Sequence, residues 1–206
     1  MVAVLFTITL IASAGVGAVN MITEDAIAEA NRQATVAAVA NVLPAFEKSE
    51  MSTMTIDEMP INIYTAVDGS GAVVGYAVET MTMSGFSGKV RMMVGFDAEG
   101  TILNVNVLEQ SETPGLGSKM CDEGNVLLAS VQGKNPANLK LKVKKDGGDI
   151  DALTAATISS RAYADAVARA YEAFKEASGA QESTHGVSGA TATHEGHDAQ
   201  EGGDNE

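Results

Sequence analysis

The 206-residue sequence has no tryptophan, a single cysteine and few aromatic residues of any kind. Because Cys121 has no second cysteine to pair with, an intramolecular disulfide and a cysteine-based zinc or iron–sulfur site are excluded. Aromatic residues make up only 4% of the chain, so the core must be built from Ala, Val, Leu, Ile and the ten methionines. Hydrophobic residues make up 45%, which is enough for a packed core.

Positive charge is also scarce, with 13 Lys and Arg against 27 Asp and Glu and a net charge of −14. Such a surface repels a phosphate backbone, so we expect no nucleic-acid partner. All three histidines lie in residues 180–206, which excludes a Ser–His or Cys–His nucleophile in the folded domain. His194 and His197 have metal-like spacing, but they stand in a polar segment, and we predict neither a metal site nor a catalytic residue.

Residues 1–20 contain no charged side chain. An apolar run of this length, at 1.5 Å per helical residue, matches the roughly 30 Å hydrocarbon layer of a bilayer. We therefore predict a single-pass transmembrane anchor over residues 1–21. The alternative is a cleaved signal peptide with a cleavage site at Ala12-Ser13-Ala14, although the basic segment typical of signal peptides is missing. Arg32 and Lys48 both follow the apolar run, so charge alone does not fix the orientation.

The rest of the chain predicts an α+β fold, an antiparallel sheet with packed helices. Residues 22–44 read as a separate membrane-proximal helix that begins at an N-cap, Thr23, and is stopped by Pro44. Alternating apolar residues separated by glycine-rich turns predict an antiparallel meander. Its strands are 61–67, 72–83, 89–96 and 102–109, followed by a short helix at 122–131, a strand at 139–143 and a long helix at 157–178 closed by Gly179.

The folded domain is therefore assigned to residues 45–179. Residues 180–206 hold six acidic residues, five glycines and no Lys or Arg. A segment of this composition buries too little apolar surface to order itself, and we predict a solvated, disordered acidic tail.

The residues best suited to bind a ligand are the small and hydroxyl residues between Asp151 and Ser160, at the predicted junction with the long helix. Small residues let a bulky group approach the backbone closely. A helix N-terminus supplies unpaired N–H groups and a partial positive charge, which favour a phosphate. Taken alone, however, the same residues fit an ordinary hydroxyl-rich helix cap.

Residues 151–159, DALTAATIS, resemble the flavinylation motif of the FMN-binding domain family. That family is shared by the Rnf complex G subunit and the C subunit of the sodium-pumping NADH:quinone reductase. Its pattern is Asp-x-x-Ser/Thr-Gly-Ala-Thr-x-Ser/Thr, in which the threonine after Gly-Ala carries FMN through a phosphoester. The sequence matches the pattern except at Ala155, which stands at the glycine position. The resemblance implies that Thr157 carries FMN.

Two further stretches support the resemblance. Residues 85–88, GFSG, resemble the family's glycine-framed hairpin, and residues 112–117, ETPGLG, match its most specific loop. By resemblance, both loops border the isoalloxazine ring and the helix that begins near Thr157 holds the phosphate. The residues that this implies for the cofactor site are Thr157, Thr154, Ala155, Ala156, Ser159, Ser160, Gly85, Phe86, Ser87, Glu112, Thr113, Pro114, Gly115, Leu116 and Gly117.

The function implied by the resemblance is that of a covalently flavinylated electron carrier in an ion-translocating ferredoxin:NAD oxidoreductase of the Rnf type. Its soluble domain would lie on the extracytoplasmic side of the inner membrane. Membrane, iron–sulfur and flavin subunits would be its partners, a flavin transferase would attach the cofactor, and little activity is expected of the chain alone. The alternatives are the C subunit of the quinone reductase, a freestanding anchored flavoprotein that feeds an extracytoplasmic reductase, and an interaction module without flavin.

A second copy of the core motif lies in the predicted tail, where residues 188–193 read SGATAT. It lacks the upstream aspartate, since His185 stands at that position, and no apolar helix follows it. We favour Thr157 as the acceptor and interpret Thr191 as part of an unordered repeat or as a secondary acceptor.

Overall fold

A five-stranded antiparallel sheet with one long helix on each face organises the chain, which the computed structural model describes over residues 1–185. The elements are α1 Val2–Val42, β1 Lys48–Ile56, β2 Met59–Val67, β3 Val73–Gly85, β4 Gly88–Phe96, β5 Ile102–Gln110, α2 Val126–Val131 and α3 Thr157–His185. The strands pair in sequence order, β1-β2-β3-β4-β5. The predicted α+β class and antiparallel meander are confirmed.

The main core lies between the sheet and α3. Alternate residues of β2, β3 and β4 point to this face, because successive strand side chains point to opposite sides. Ile63, Val78 and Val94 are fully buried there against Tyr163 and Val167 of α3. At the far end of α3, the rings of Phe96 and Phe174 stack with their centroids 5.0 Å apart. α3 therefore runs along the sheet and packs against it over most of its length.

The last turn of α1 packs on the opposite face of the sheet, where Ala38, Val39 and Val42 are buried. Gly95 makes this contact possible, because a Cβ at that position would collide with the backbone of Val42. The backbone of β4 and the end of α1 therefore approach more closely than any larger residue would allow.

The sequence analysis divides residues 2–42 into two helices, whereas the structure has one continuous helix. Thr23 is not an N-cap, because its hydroxyl donates backwards to the carbonyl of Val19 at 2.9 Å, in mid-helix. The residues that follow are rich in Ala, the best helix former, and contain no breaker before Pro44. The predicted stop is correct, since α1 ends at Val42.

One 18-residue window of α1 has a mean hydropathy of 2.2 and is not buried against the rest of the chain. By length and composition α1 is a candidate membrane span, and the same features also fit a signal sequence. Residues 23–37, here called the stalk, continue the helix beyond the apolar segment, and none of them is buried. The stalk connects the candidate span to the part of α1 that packs on the sheet.

Three other details of the sequence analysis need correction. The edge strand β1 was not predicted, because seven of its nine residues are exposed and its pattern is largely polar. The strand predicted at 139–143 is absent: this stretch is irregular, is flanked by 3₁₀ helices at Pro136–Asn138 and Lys144–Asp146, and forms one isolated bridge between Val143 and Ile150. Finally, α3 continues through Gly179 to His185, so it crosses the predicted boundary of the tail. The rest of that tail, with Thr191, lies outside the described residues.

Candidate cofactor site

The three segments singled out in the sequence come together at one end of the sheet. The β3–β4 turn and the C-terminal end of β5 share this end because the strands are antiparallel, and α3 begins beside them. Between them lies a cavity of about 300 Å³. Its lining residues are Phe86, Glu112, Thr113, Leu116, Gly117, Ala155, Ala156, Thr157, Ile158 and Ser159.

Every lining residue except Ile158 belongs to the set implied by the resemblance. Ile158 was missed because it occupies a variable position of the motif, yet its exposed side chain forms part of the apolar wall with Phe86 and Leu116. The remaining members of the predicted set do not line the cavity. They are Gly85, Ser87, Pro114, Gly115, Thr154 and Ser160.

Glu112 connects all three segments. It is 4% exposed, and its carboxylate accepts a hydrogen bond from the backbone N–H of Ser87 in the β3–β4 turn at 3.0 Å. It also accepts a short hydrogen bond from the hydroxyl of Ser159 in the first turn of α3. No Lys or Arg among residues 1–179 forms a salt bridge with it. One buried side chain thus fixes the relative positions of the two loops and the helix.

Two glycines leave room for this connection. A Cβ on Gly117 would collide with the Ser159 hydroxyl and lie 2.8 Å from Glu112 Oε2. A Cβ on Gly85 would lie 2.7 Å from Glu112 Oε1. Gly115 differs from both, because the space around it is open and its φ of +74° is the reason for a glycine there. The glycines of these loops therefore serve either close packing or backbone conformation.

Ala155 is the one departure from the family motif, and it adopts a φ of +60°. This left-handed region suits glycine, and a residue with a Cβ occupies it at a cost of roughly 1–2 kcal/mol. The backbone therefore keeps the conformation that the glycine of the family pattern would favour. The methyl group of Ala155 is exposed, and the residue still lines the cavity.

The first turn of α3 offers unpaired donors to the cavity. The carbonyl of Ala156 accepts the first intrahelical bond, from the N–H of Ser160, so Ala156 is the N-cap and has no side-chain acceptor. Within the described part of the chain, the N–H groups of Thr157, Ile158 and Ser159 have no hydrogen-bond acceptor. Together with the helix dipole they favour a bound anion.

The hydroxyl groups of this turn have different roles. Ser160 is fully buried; its Oγ accepts from the N–H of Leu153 at 2.9 Å and donates to the carbonyl of Ala156 at 2.9 Å, so it holds the turn before the helix. Ser159 is committed to Glu112. Among the residues that the structure describes, the Thr157 hydroxyl has no hydrogen-bond partner, and Thr157 is half-buried at the cavity wall. It is the free hydroxyl of the first helical turn.

Asp151, the first residue of the motif, lies outside the cavity. Lys144 Nζ forms a 2.7 Å salt bridge with its carboxylate and keeps the pKa of Asp151 below its ordinary value. The N–H of Asp151 donates to the hydroxyl of Ser130 at 2.9 Å. These contacts fix the segment that leads into α3.

The chain is similar to several known proteins. The family described as FMN-binding domain matches residues 85–172, which include all three segments of the site. The G subunit of the ion-translocating oxidoreductase complex of Shewanella amazonensis is 35% identical over 173 residues, or 78% of this chain and 80% of the relative. The G subunit of the Na⁺-translocating ferredoxin:NAD⁺ oxidoreductase complex of Acetobacterium woodii is 28% identical over 85% of this chain and 90% of its own. Among solved structures, Shewanella oneidensis NqrC shares 21% identity over 65% of each chain, with a TM-score of 0.38.

Proposed function

The chain belongs to the family of G subunits of ion-translocating oxidoreductase complexes, and on that premise we propose that it is a membrane-anchored flavoprotein that carries electrons within such a complex. The complex would transfer electrons between ferredoxin and NAD and couple this transfer to Na⁺ or H⁺ transport. The observation that carries the proposal is the convergence of residues 85–88, 112–117 and 154–159 on one cavity.

The residues of the cavity fit FMN. Phe86, Leu116 and Ile158 offer an apolar wall for a flat ring system, whereas the unpaired N–H groups at the start of α3 suit a phosphate. FMN supplies the redox chemistry when bound, and the chain supplies position and electrostatics. Glu112 holds the two loops against α3, so that the apolar wall and the N–H groups of α3 keep their relative positions.

We propose Thr157 as the covalent attachment point, through a phosphoester between its Oγ and FMN. A flavin transferase would form it from a flavin adenine dinucleotide: the Oγ–P bond forms as the pyrophosphate bond breaks, AMP leaves and the hydroxyl proton passes to solvent. The Thr157 hydroxyl is unpartnered within the described residues, while Ser159 and Ser160 are engaged elsewhere. The phosphodiester would keep a negative charge beside the N-terminus of α3, where the helix dipole stabilises it. A covalent tether also gives the ring a high effective concentration at its site, so an open cavity suffices to hold it.

The remaining parts of the proposal concern location and partners. α1 would cross the inner membrane once and place the sheet on the extracytoplasmic side. The other subunits of the complex would exchange electrons with the flavin, and the isolated chain would show little activity of its own.

The test is the covalent attachment of flavin in threonine variants of the full-length chain co-expressed with a flavin transferase. On denaturing gels under ultraviolet light, the parent should give a fluorescent band and Thr157→Ala should give none. Since the Thr157 hydroxyl makes no hydrogen bond within the described residues, the variant should fold as the parent does. Thr154→Ala is the matched control, because Thr154 is an exposed motif threonine outside the cavity, and it should keep the band.

Thr191→Ala examines the second motif copy and should also keep the band. Fluorescence that disappears with Thr191 and persists in Thr157→Ala would make the tail the acceptor. A parent that never fluoresces, despite co-expression with the transferase, would contradict the flavoprotein assignment itself. The masses of the tryptic peptides that contain Thr157 and Thr191 provide an independent readout.

A further inference from the structure

A cluster of lysines stands out in the sequence of this acidic protein. Residues 134–145, here called the lysine segment, contain five lysines and no acidic residue, although the net charge of the chain is −14. The lysines are Lys134, Lys140, Lys142, Lys144 and Lys145. All five are exposed. A concentration of one charge against the overall sign of the protein is a feature that steers the approach of an oppositely charged partner.

The backbone of the lysine segment is held in place, so its lysines project from a preorganised backbone. The N–H of Lys140 donates to the Asp149 carboxylate at 2.7 Å, and the N–H of Asp149 donates back to the carbonyl of Lys140 at 3.0 Å. Val143 is fully buried and pairs with Ile150. A preorganised surface loses less entropy on binding than a mobile loop would.

Three of these lysines form no salt bridge within the described residues. Lys144 pairs with Asp151, and Lys134 donates from Nζ to the carbonyl of Ser130 at 2.7 Å. Lys140, Lys142 and Lys145 form no salt bridge with any of residues 1–179. The hydrogen bonds from Arg161, and to a lesser extent the charges of Lys145 and Lys142, lower the pKa of the nearby Asp146 carboxyl. Neither lysine amine is held in a salt bridge with residues 1–179, so both can contact another molecule.

The lysine segment lies next to the candidate cofactor site. Arg161, one turn beyond Thr157 on α3, forms two hydrogen bonds of 2.6 and 2.7 Å with Asp146, directly after the lysine segment. Lys142 and Arg161 also line one groove between this segment and α3. Lys142 thus lies on the α3 side of the sheet, and a molecule bound to it would stand beside the start of that helix.

We propose that the lysine segment is a docking surface for an acidic protein whose carboxylates face Lys140, Lys142 and Lys145. The docking itself does not depend on the proposed function. Only the further step, that the docked protein exchanges electrons with the flavin, rests on the proposed function. An anionic membrane surface fits less well. The fifteen-residue stalk adds about 22 Å between the candidate span and the sheet, and lipid charge is screened over about 8 Å at physiological ionic strength.

The experiment treats native membranes that contain the full-length chain with a carbodiimide, which joins a lysine amine directly to a neighbouring carboxylate. Mass spectrometry of the joined peptides should identify bonds from Lys140, Lys142 or Lys145 to an Asp or Glu of another polypeptide. The triple variant K140Q/K142Q/K145Q removes these amines, so those bonds should disappear. Cross-links between the same two polypeptides through their other residues should fall about tenfold, the effect of three exposed charge pairs of about 0.5 kcal/mol each.

The matched control is R32Q/K48Q/K175Q, which has the same net charge and changes three exposed residues outside the lysine segment. It should cross-link as the parent does. Equal losses in the two triple variants, or bonds only to carboxylates of this chain, would overturn the proposal. Binding to vesicles that contain phosphatidylglycerol tests the lipid alternative. If K140Q/K142Q/K145Q loses this binding and the control variant keeps it, the surface recognises lipid instead of protein. Thr157→Ala should still cross-link, so the docking proposal can be judged independently of the flavin assignment.

Discussion

Removal of the Glu112 carboxylate should loosen the cofactor site and destabilise the fold together. In Glu112→Ala, the N–H of Ser87 and the hydroxyl of Ser159 lose the acceptor that they share. Ser159 is 2% exposed, so its hydroxyl would be left without a partner in a buried place, whereas Ser87 is exposed and can turn to water. The loss of stability should therefore come mainly from the buried Ser159 hydroxyl at the start of α3.

The magnitude follows from these two contacts. An unsatisfied buried hydroxyl costs about 1–3 kcal/mol, and a lost hydrogen bond replaced by water costs about 1 kcal/mol. We expect Glu112→Ala to lower the free energy of unfolding by about 3 kcal/mol. For a domain of this size, that is a fall of about 6–12 °C in the unfolding midpoint. Glu112→Gln keeps an acceptor for Ser87 and a partner for Ser159, so its effect should stay within about 1 kcal/mol.

The assay is thermal unfolding of the full-length chain in detergent, followed by circular dichroism, with the fluorescence of the attached flavin measured on the same samples. Glu109→Ala is the matched control: this glutamate lies on β5, its side chain is 46% exposed, and it pairs with Lys89 and, at 3.4 Å, with Arg91. Arg91 keeps its pair with Glu79, so the loss of Glu109 should cost less than about 1 kcal/mol. An unchanged midpoint in Glu112→Ala would refute the connecting role. Equal damage from Gln and Ala would show that charge, and not hydrogen-bond geometry, is what matters.

Four further changes have defined outcomes. Ala155→Gly relieves the left-handed strain and should stabilise the chain by about 0.5–1 kcal/mol after the entropy of the unfolded glycine is subtracted, measured as the unfolding midpoint. Gly117→Val should reduce flavin attachment on the gel assay more than Gly115→Val does, because only Gly117 faces Ser159 and Glu112 directly. Gly95→Val should detach the end of α1 from the sheet and raise protease cleavage of the stalk, while the fluorescent band persists. Deletion of residues 1–21 should release the chain from membranes with its cooperative unfolding intact, because none of those residues is buried.

The strands followed from local signals, whereas the candidate site followed from the family resemblance. Alternation of apolar residues between glycine-rich turns predicted β2 to β5 to within two residues of their observed ends. The motif at 151–159 and the loops at 85–88 and 112–117 were chosen separately along the sequence. In a meander, alternate turns lie at the same end of the sheet, so the loops at 85–88 and 112–117 lie close together. Motifs that are far apart in the sequence therefore meet at one cavity.

What the sequence analysis missed depends on partners distant in the chain. β1 is held by its backbone pairing with β2, and its polar side chains give no apolar period. The stretch at 139–143 alternates Leu and Lys, yet it forms no ladder because its backbone bonds go to residues 149 and 150 instead. The contact between Glu112 and Ser159 joins residues 47 positions apart, and no local pattern reveals it.

The continuity of α1 changes how the candidate cofactor site is presented. A flexible linker of about fifteen residues would give an average span of about 20 Å with a broad distribution, whereas a helix of that length holds about 22 Å. The end of α1 sits on Gly95, about 23 Å along β4 from the turn at Gly88 that borders the site. The helix α1 and the sheet are thus two rigid elements that meet at the close backbone contact between Val42 and Gly95. The cavity is held away from the candidate span at a set distance and orientation, and a partner at the lysine segment approaches the α3 face, opposite to the face that carries α1.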